Sequence, residues 1–119
     1  MCVVLQGTKK IKAFVPINGF EGGRMIYFNA KSFSKMENLK YFCYSGGVIK
    51  RSSLFCRKGN IDYLSNELRC LIWCVCPLRS FPSNFHPEKL VMLNISGSDH
   101  ITRLWDGRKV LQFYIRFYF

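Results

Sequence analysis

Three cysteines, Cys70, Cys74 and Cys76, crowd the stretch LRCLIWCVC at residues 68–76. Thiols this close could share a metal, form a redox pair, or act as nucleophiles with one of the two histidines, His86 and His100. The spacing argues against each use. If the stretch is extended, Cys70 and Cys74 stand about 13 Å apart at ~3.3 Å per residue, whereas a shared zinc needs each sulfur at ~2.3 Å. The spacing C-x3-C-x-C has no second well-spaced ligand pair. His86 lies between Phe85 and Pro87, and His100 sits beside Asp99; no motif ties either to a thiol. No metal, no cofactor and no enzymatic activity are expected.

The cysteines are better placed by the apolar residues around them. Leu68, Leu71, Trp73 and Cys76 stand at relative positions 1, 4, 6 and 9. Twenty-two residues on, Leu90, Leu93, Ile95 and Ser98 repeat the set, and Leu78 and Phe81 recur as Ile101 and Leu104. Twenty-nine residues back, Leu39, Phe42, Tyr44 and Gly47 do the same; a looser copy begins at Ile11 and Phe14, with Pro16 in the sixth place. L-x-x-L-x-L-x-x-(N/C) at this spacing is the leucine-rich-repeat signature. Each repeat supplies a short strand whose positions 1, 4 and 6 point inward, and only a stack of repeats buries that face. The expected fold class is α/β. It is a short solenoid with a curved parallel sheet of about three to four short strands and an irregular or short-helical convex side. Its core comprises Leu39, Phe42, Tyr44, Leu68, Leu71, Trp73, Leu78, Phe81, Leu90, Leu93, Ile95, Ile101 and Leu104. Cys76 and Ser98 take the ninth position, where a small polar residue satisfies backbone groups leaving the strand. The concave face then carries Tyr41, Cys43, Ser45, Cys70, Ile72, Cys74, Met92, Asn94 and Ser96.

The remaining segments have less definite roles. A turn is expected at Gly7-Thr8 and a loop at Asn18-Gly19 and Gly22-Gly23. Ser34-Lys35-Met36-Glu37 fits a capping box, with a short helical turn leading to Leu39. Residues 45–60 read as a basic loop. Pro77, Pro82 and Pro87 lie off the strands, as they must, since proline cannot donate to a ladder. A further strand is due near residues 112–113, but KVLQFYIRFYF offers no complete set of positions 4, 6 and 9. The divisions are 1–28, a linker and N-terminal strand or cap; 29–109, the repeats; and 110–119, an aromatic tail that reads as a truncation and an aggregation hazard.

The chain carries +11 net charge on 119 residues. Residues 1–60 hold eleven Lys or Arg against Glu21 and Glu37, and residues 61–119 hold seven against five acids. So basic a first half should meet an acidic surface, or else is merely solvated. No run approaches the ~20 apolar residues of a membrane span. MCVVL is too short for a signal peptide, so free thiols in a reducing compartment are expected, and Asn94-Ile95-Ser96 is not expected to be glycosylated.

The segments KSFSKMENLKYF, LSNELRCLIWCVCPLRSFPSNFHPEKLVMLNIS and ITRLWDG closely resemble the start of the leucine-rich-repeat domain of plant intracellular immune receptors. The resembled class has a Toll/interleukin-receptor domain, a nucleotide-binding domain and then repeats. GTKKIKAFVPI resembles the strand that links the last two. The resemblance spans about residues 5–109. Cys76 departs from the tyrosine usual before Pro77, and the tail after residue 109 matches nothing. No G-x-x-x-x-G-K-(S/T) phosphate loop is present, so binding and regulation carry over but nucleotide chemistry does not. The resemblance implies a protein-interaction module in the cytoplasm, and also in the nucleus. It would recognise a pathogen effector or guarded host protein and help hold the nucleotide-binding domain inactive, with Lys9, Lys10, Lys12, Lys35 and Lys40 facing that domain. The competing readings are a receptor fragment with no independent activity and a basic nucleic-acid-binding module; neither nucleic acid nor membrane is the expected partner.

Overall fold

A computed structural model describes residues 2–4, 7–15, 25–46, 48–49, 61–112 and 115–119. Among the described residues eight short strands form and no helix does: β1 (Cys2–Val4), β2 (Ala13–Phe14), β3 (Met25–Phe28), β4 (Tyr41–Ser45), β5 (Val48–Ile49), β6 (Cys70–Cys74), β7 (Met92–Asn94) and β8 (Arg116–Tyr118). They make two parallel sheets, of order β2-β4-β6-β7-β8 and β1-β3-β5. The expected parallel sheet of short strands is therefore present, with five strands, and the path between its rungs is irregular.

Register follows the repeat. Phe14 pairs with Phe42, Phe42 with Leu71, Leu71 with Leu93, and Leu93 with Phe117. That row is the fourth position of each repeat, and the looser copy at Ile11 and Phe14 falls into line with the others. A backbone ladder fixes the strand starts. The Lys12 carbonyl accepts from the Lys40 and Tyr41 amides, that of Lys40 from Arg69 and Cys70, and that of Arg69 from Val91 and Met92.

The alternation of apolar and polar residues within each strand sends one set of side chains inward. Leu39, Phe42, Tyr44, Leu68, Leu71, Trp73, Leu78, Phe81, Leu90, Leu93 and Ile95 are buried in one cluster, against which Ile101 and Leu104 pack half-buried. Trp73 is at its centre, fully buried, with ring centroids 4.8 Å from Phe28 and 4.9 Å from Phe42. Its indole N–H donates to the Gly46 carbonyl at 2.9 Å, so the one polar atom of the ring is satisfied. Phe28 lies at the end of β3, so the smaller sheet contributes to the same core.

Several local expectations need correction. No capping box forms at Ser34–Glu37; the Ser34 hydroxyl donates to the Lys31 carbonyl. The reciprocal pair sits five residues earlier. Asn29 Oδ1 accepts from the Lys31 amide, and the Ser32 hydroxyl accepts from the Asn29 amide. The turns that follow are closed by bonds from Ser32 to Asn29, Ser34 to Lys31 and Met36 to Phe33, three residues apart. Val48–Ile49, expected within a basic loop, pair as a strand with β3. Ser45, also expected in that loop, ends β4, and residues 47 and 50–60, with residues 16–24, lie outside the described residues. The aromatic tail, expected to complete no rung, supplies β8 in register with β7. The turn expected at Gly7-Thr8 closes with the Ile11 amide on the Thr8 carbonyl.

Candidate interaction surface

Opposite the core, the odd residues of the strands form a second set. Register places Ala13, Tyr41, Cys70, Met92 and Arg116 in one row. Cys43, Ile72, Asn94 and Tyr118 form the next row, and Ser45 pairs with Cys74 beyond them. Tyr41 and Ser45 are exposed, and Cys43, Cys70, Ile72, Cys74, Met92, Asn94 and Ser96 are half-buried. All nine residues expected on the concave face are thus absent from the core cluster. Arg116 and Tyr118 extend the face beyond the residues named from sequence, because the spacing of the tail hid their rung.

Polar groups within the face are already organised. Asn94 Oδ1 accepts from the Ser96 amide at 3.0 Å, from the Ser96 hydroxyl at 2.6 Å and from the Cys74 thiol at 3.7 Å. That arrangement uses the oxygen of the Asn94-Ile95-Ser96 sequon in a local turn. One polar side chain therefore holds the end of β7 against β6.

Four thiols belong to or flank this face among the described residues. Cys43, Cys70, Cys74 and Cys76 are all free. Among the described residues no group of three or more His, Cys, Asp or Glu side chains could hold a metal ion. Burial, and secondarily the neighbouring Cys43, pushes the Cys70 thiol up from its ordinary value. Burial pushes the Cys76 thiol further, to about 12, against a smaller opposing hydrogen bond from the Leu78 backbone. Both shifts disfavour the thiolate that nucleophilic or metal chemistry needs. Cys76 sits where the chain leaves β6, and its own amide donates to the Ser98 hydroxyl at 2.8 Å. Ser98 is the ninth-position residue one repeat later, and it satisfies a backbone group as that position is expected to.

The five lysines proposed from sequence do not form one patch of equivalent residues. Lys12 and Lys40 occupy the same place on adjacent rungs, as their shared carbonyl ladder shows. Lys9 pairs with Glu37 at 3.3 Å, with both side chains largely in water. Lys35 lies exposed in the turns before β4, and Lys10 in the turn before β2. Arg69 takes the next rung after Lys40, so the cationic row is Lys12, Lys40, Arg69. Sequence reasoning passed over Arg69, although it holds the second position of its repeat, as Lys12 and Lys40 do. Glu67 beside this row is held below the usual carboxylate range, chiefly by its hydrogen bond from Lys89, with Lys40 and Arg69 contributing.

The same segments that build these rungs have sequence relatives. Disease resistance protein RPP5 of Arabidopsis thaliana is 34% identical over 87 residues, 73% of this chain. RPP4 of the same plant is 37% identical over 87 residues, and the disease resistance-like protein DSC1 is 36% identical over 110 residues, 87% of this chain. This chain is related to plant disease resistance proteins. It spans only 6–8% of the length of those relatives. No protein-family model matches the chain, and no solved structure does. Among the described residues no helix is long and apolar enough to cross a membrane.

Proposed function

We propose that the chain is a non-enzymatic protein-interaction module of a plant disease-resistance receptor, working in the cytoplasm and also in the nucleus. Its open sheet face, with Tyr41, Cys43, Ser45, Cys70, Ile72, Cys74, Met92, Asn94 and Ser96, would contact a pathogen effector or guarded host protein. Its basic residues would meet an acidic surface of the receptor's nucleotide-binding domain and restrain it. The observation that carries the reading is the face itself. A parallel sheet buries one set of side chains completely and leaves the other half-open, with Tyr41 47% exposed. Such a sheet face offers a broad, rigid and weakly charged platform, while the charge is displaced to the strand starts. That division suits a protein partner, because charge steers approach and the apolar centre holds contact.

Calorimetric titration of the chain with the nucleotide-binding domain of a receptor of this class tests the proposal. Lys12→Glu with Lys40→Glu should weaken binding about tenfold or more, which is about 1.4 kcal/mol, and raised salt should weaken the parent alone. Equal binding by the parent and the double variant would refute the basic contact. Tighter binding to mixed-sequence nucleic acid, with a steep salt slope, would favour the nucleic-acid reading instead.

A further inference from the structure

Spacing along the chain separates Cys70 from Cys74, but it is silent on thiols that meet across strands. Register sets Cys43 of β4 opposite Ile72 of β6, with Cys70 two residues before Ile72 and Cys74 two after. All three thiols are free, half-buried and absent from the core. Their surroundings differ. Cys74 turns away from β4, because its thiol donates to Asn94 Oδ1 on β7 at 3.7 Å. Cys70 responds instead to Cys43, which after burial is the second cause of its raised pKa. Cys43 and Cys70 are therefore the two thiols that face each other across the sheet.

Distance decides what such a pair can hold. Adjacent strands lie about 4.8 Å apart and two residues of strand advance about 6.6 Å, so diagonal Cα atoms stand roughly 8 Å apart. A disulfide needs Cα atoms within about 7 Å and sulfurs at ~2.05 Å, so this diagonal is too long for one. A single ion between the sulfurs fits better. Two metal–thiolate bonds of ~2.3 Å set in line hold their sulfurs about 4.5 Å apart, a span that thiols leaning towards each other along this diagonal can reach.

The ligand count selects the ion. Among the described residues no group of three or more His, Cys, Asp or Glu side chains could hold a metal. A tetrahedral zinc thus lacks its further ligands, whereas a soft closed-shell cation, copper(I) above all, is held by two thiolates in line. Charge points the same way. Two thiolates on one monovalent cation leave one negative charge. Cys70 follows Arg69 directly, and its partner in register, Tyr41, follows Lys40, so that charge lies next to the cationic row at the strand starts.

We propose that Cys43 and Cys70 form a two-coordinate site for a soft monovalent cation, copper(I), bridging β4 and β6. The step is exchange without redox. Each thiol gives its proton to the buffer, a sulfur–copper bond replaces each S–H bond, and the copper stays monovalent. Protons compete for the site, and Cys70 holds its own more firmly than an ordinary thiol, so affinity rises with pH. The site does not depend on the immune role proposed above.

Titration of the reduced full chain with copper(I), under nitrogen and against bicinchoninate as a coloured competitor, tests the proposal. The wild type should draw copper from the competitor, and more strongly as pH rises. Cys43→Ser and Cys70→Ser should each lose one equivalent, and the double variant should lose no more than either alone. Alanine at the same positions should give the same loss, and Cys74→Ser, whose parent thiol is held by Asn94, should give none. Copper-edge X-ray absorption of the one-equivalent complex should show two sulfur neighbours and no third ligand. Circular dichroism checks that each variant keeps its fold. Four results would overturn the inference: no copper drawn by the wild type, copper uptake unchanged in either single variant, an equal loss with Cys74→Ser, or a third ligand on the metal. The equal loss would mark indiscriminate thiol binding.

Discussion

Three equivalent positions carry the turn at the end of three successive rungs, and they make a demanding test of the repeat. Gly46, Val75 and Gly97 all have left-handed backbone, with φ of 86°, 52° and 71°. The Gly46 amide donates to the Cys74 carbonyl and the Val75 amide to the Ser96 carbonyl, so the turn is used in the same way on those two rungs. Glycine occupies this conformation freely, while an L side chain costs about 1–2 kcal/mol. Gly97→Ala should therefore destabilise the chain, although a Cβ there meets only Val75 Cγ2 at an ordinary 3.5 Å. From the strain one subtracts about 0.4–1 kcal/mol for the freedom alanine removes from the unfolded chain. The net loss is about 1 kcal/mol. Val75→Gly is the converse. Relief of the same strain offsets both the added unfolded freedom and the loss of a side chain that is already 57% exposed. Its stability should stay within about 0.5 kcal/mol of the parent, where the same change in a relaxed extended segment would cost more. Urea unfolding followed by the fluorescence of buried Trp73 reads both. Gly97→Ala should lower the midpoint by roughly 0.5 M with an unchanged slope. An unchanged midpoint for Gly97→Ala, together with a loss well above 1 kcal/mol for Val75→Gly, would show that these positions do not share a left-handed turn.

Ser98→Ala removes the acceptor of the buried Cys76 amide; it should cost about 1–3 kcal/mol and speed hydrogen exchange at that amide. Cys76, with its thiol pushed up to about 12 by burial, should be slower to react with iodoacetamide at pH 8 than Cys43, Cys70 and Cys74. Because its folded value lies above the ordinary thiol value of 9.0, its contribution to stability is complete below pH 9 and is lost as pH rises towards 12. The stability advantage of the parent over Cys76→Ala should accordingly shrink across that window in urea titrations. Gly7→Ala places a Cβ into the side chain of Met36, itself fully buried; overpacking of this kind should cost about 1–3 kcal/mol, read as a lower urea midpoint.

The inward residues were legible because one period organised them. Leu39, Leu68 and Leu90 could be aligned from type and spacing alone, and the structure buries all three. What could not be read was the length of chain between rungs. The paired residues Phe14, Phe42, Leu71, Leu93 and Phe117 are separated by 28, 29, 22 and 24 positions. A strand fixes its neighbour's register through hydrogen bonds, but the return path only has to reach the next rung. A constant step of 22–23 from Leu90 therefore fell short of β8, and the tail offered no complete set in which Phe117 could take the fourth position. The missed second sheet has a related cause. β5 is two residues long, Val48–Ile49, and β1 three; such segments carry no alternation to detect, and their pairing is decided by the rungs that bring them together. The capping pair at Asn29 and Ser32 shows the same dependence on context, since Ser34 matched the local pattern equally well but stands one turn too late to receive the chain leaving β3.

The candidate surface was legible to the extent that it is the complement of the core. Once positions 4 and 6 point inward, positions 3, 5 and 7 must share the other face, and Tyr41, Cys70 and Met92 fall in one row by register. The cationic groups were less legible, because no packing constraint acts on an exposed lysine. Its place is set only by its offset from the strand start. That offset, rather than the total charge, separates Lys12, Lys40 and Arg69 from Lys9, which already faces Glu37. The strand starts that carry these cations stand about 4.8 Å apart along the sheet, so their like charges repel one another unless an anion lies across them. Reducing that repulsion by Arg69→Gln should raise the stability of the free chain slightly at low salt while weakening the acidic-partner contact proposed above. Opposite signs for folding and binding would mark the row as retained for recognition, and a loss in both would mark it as structural.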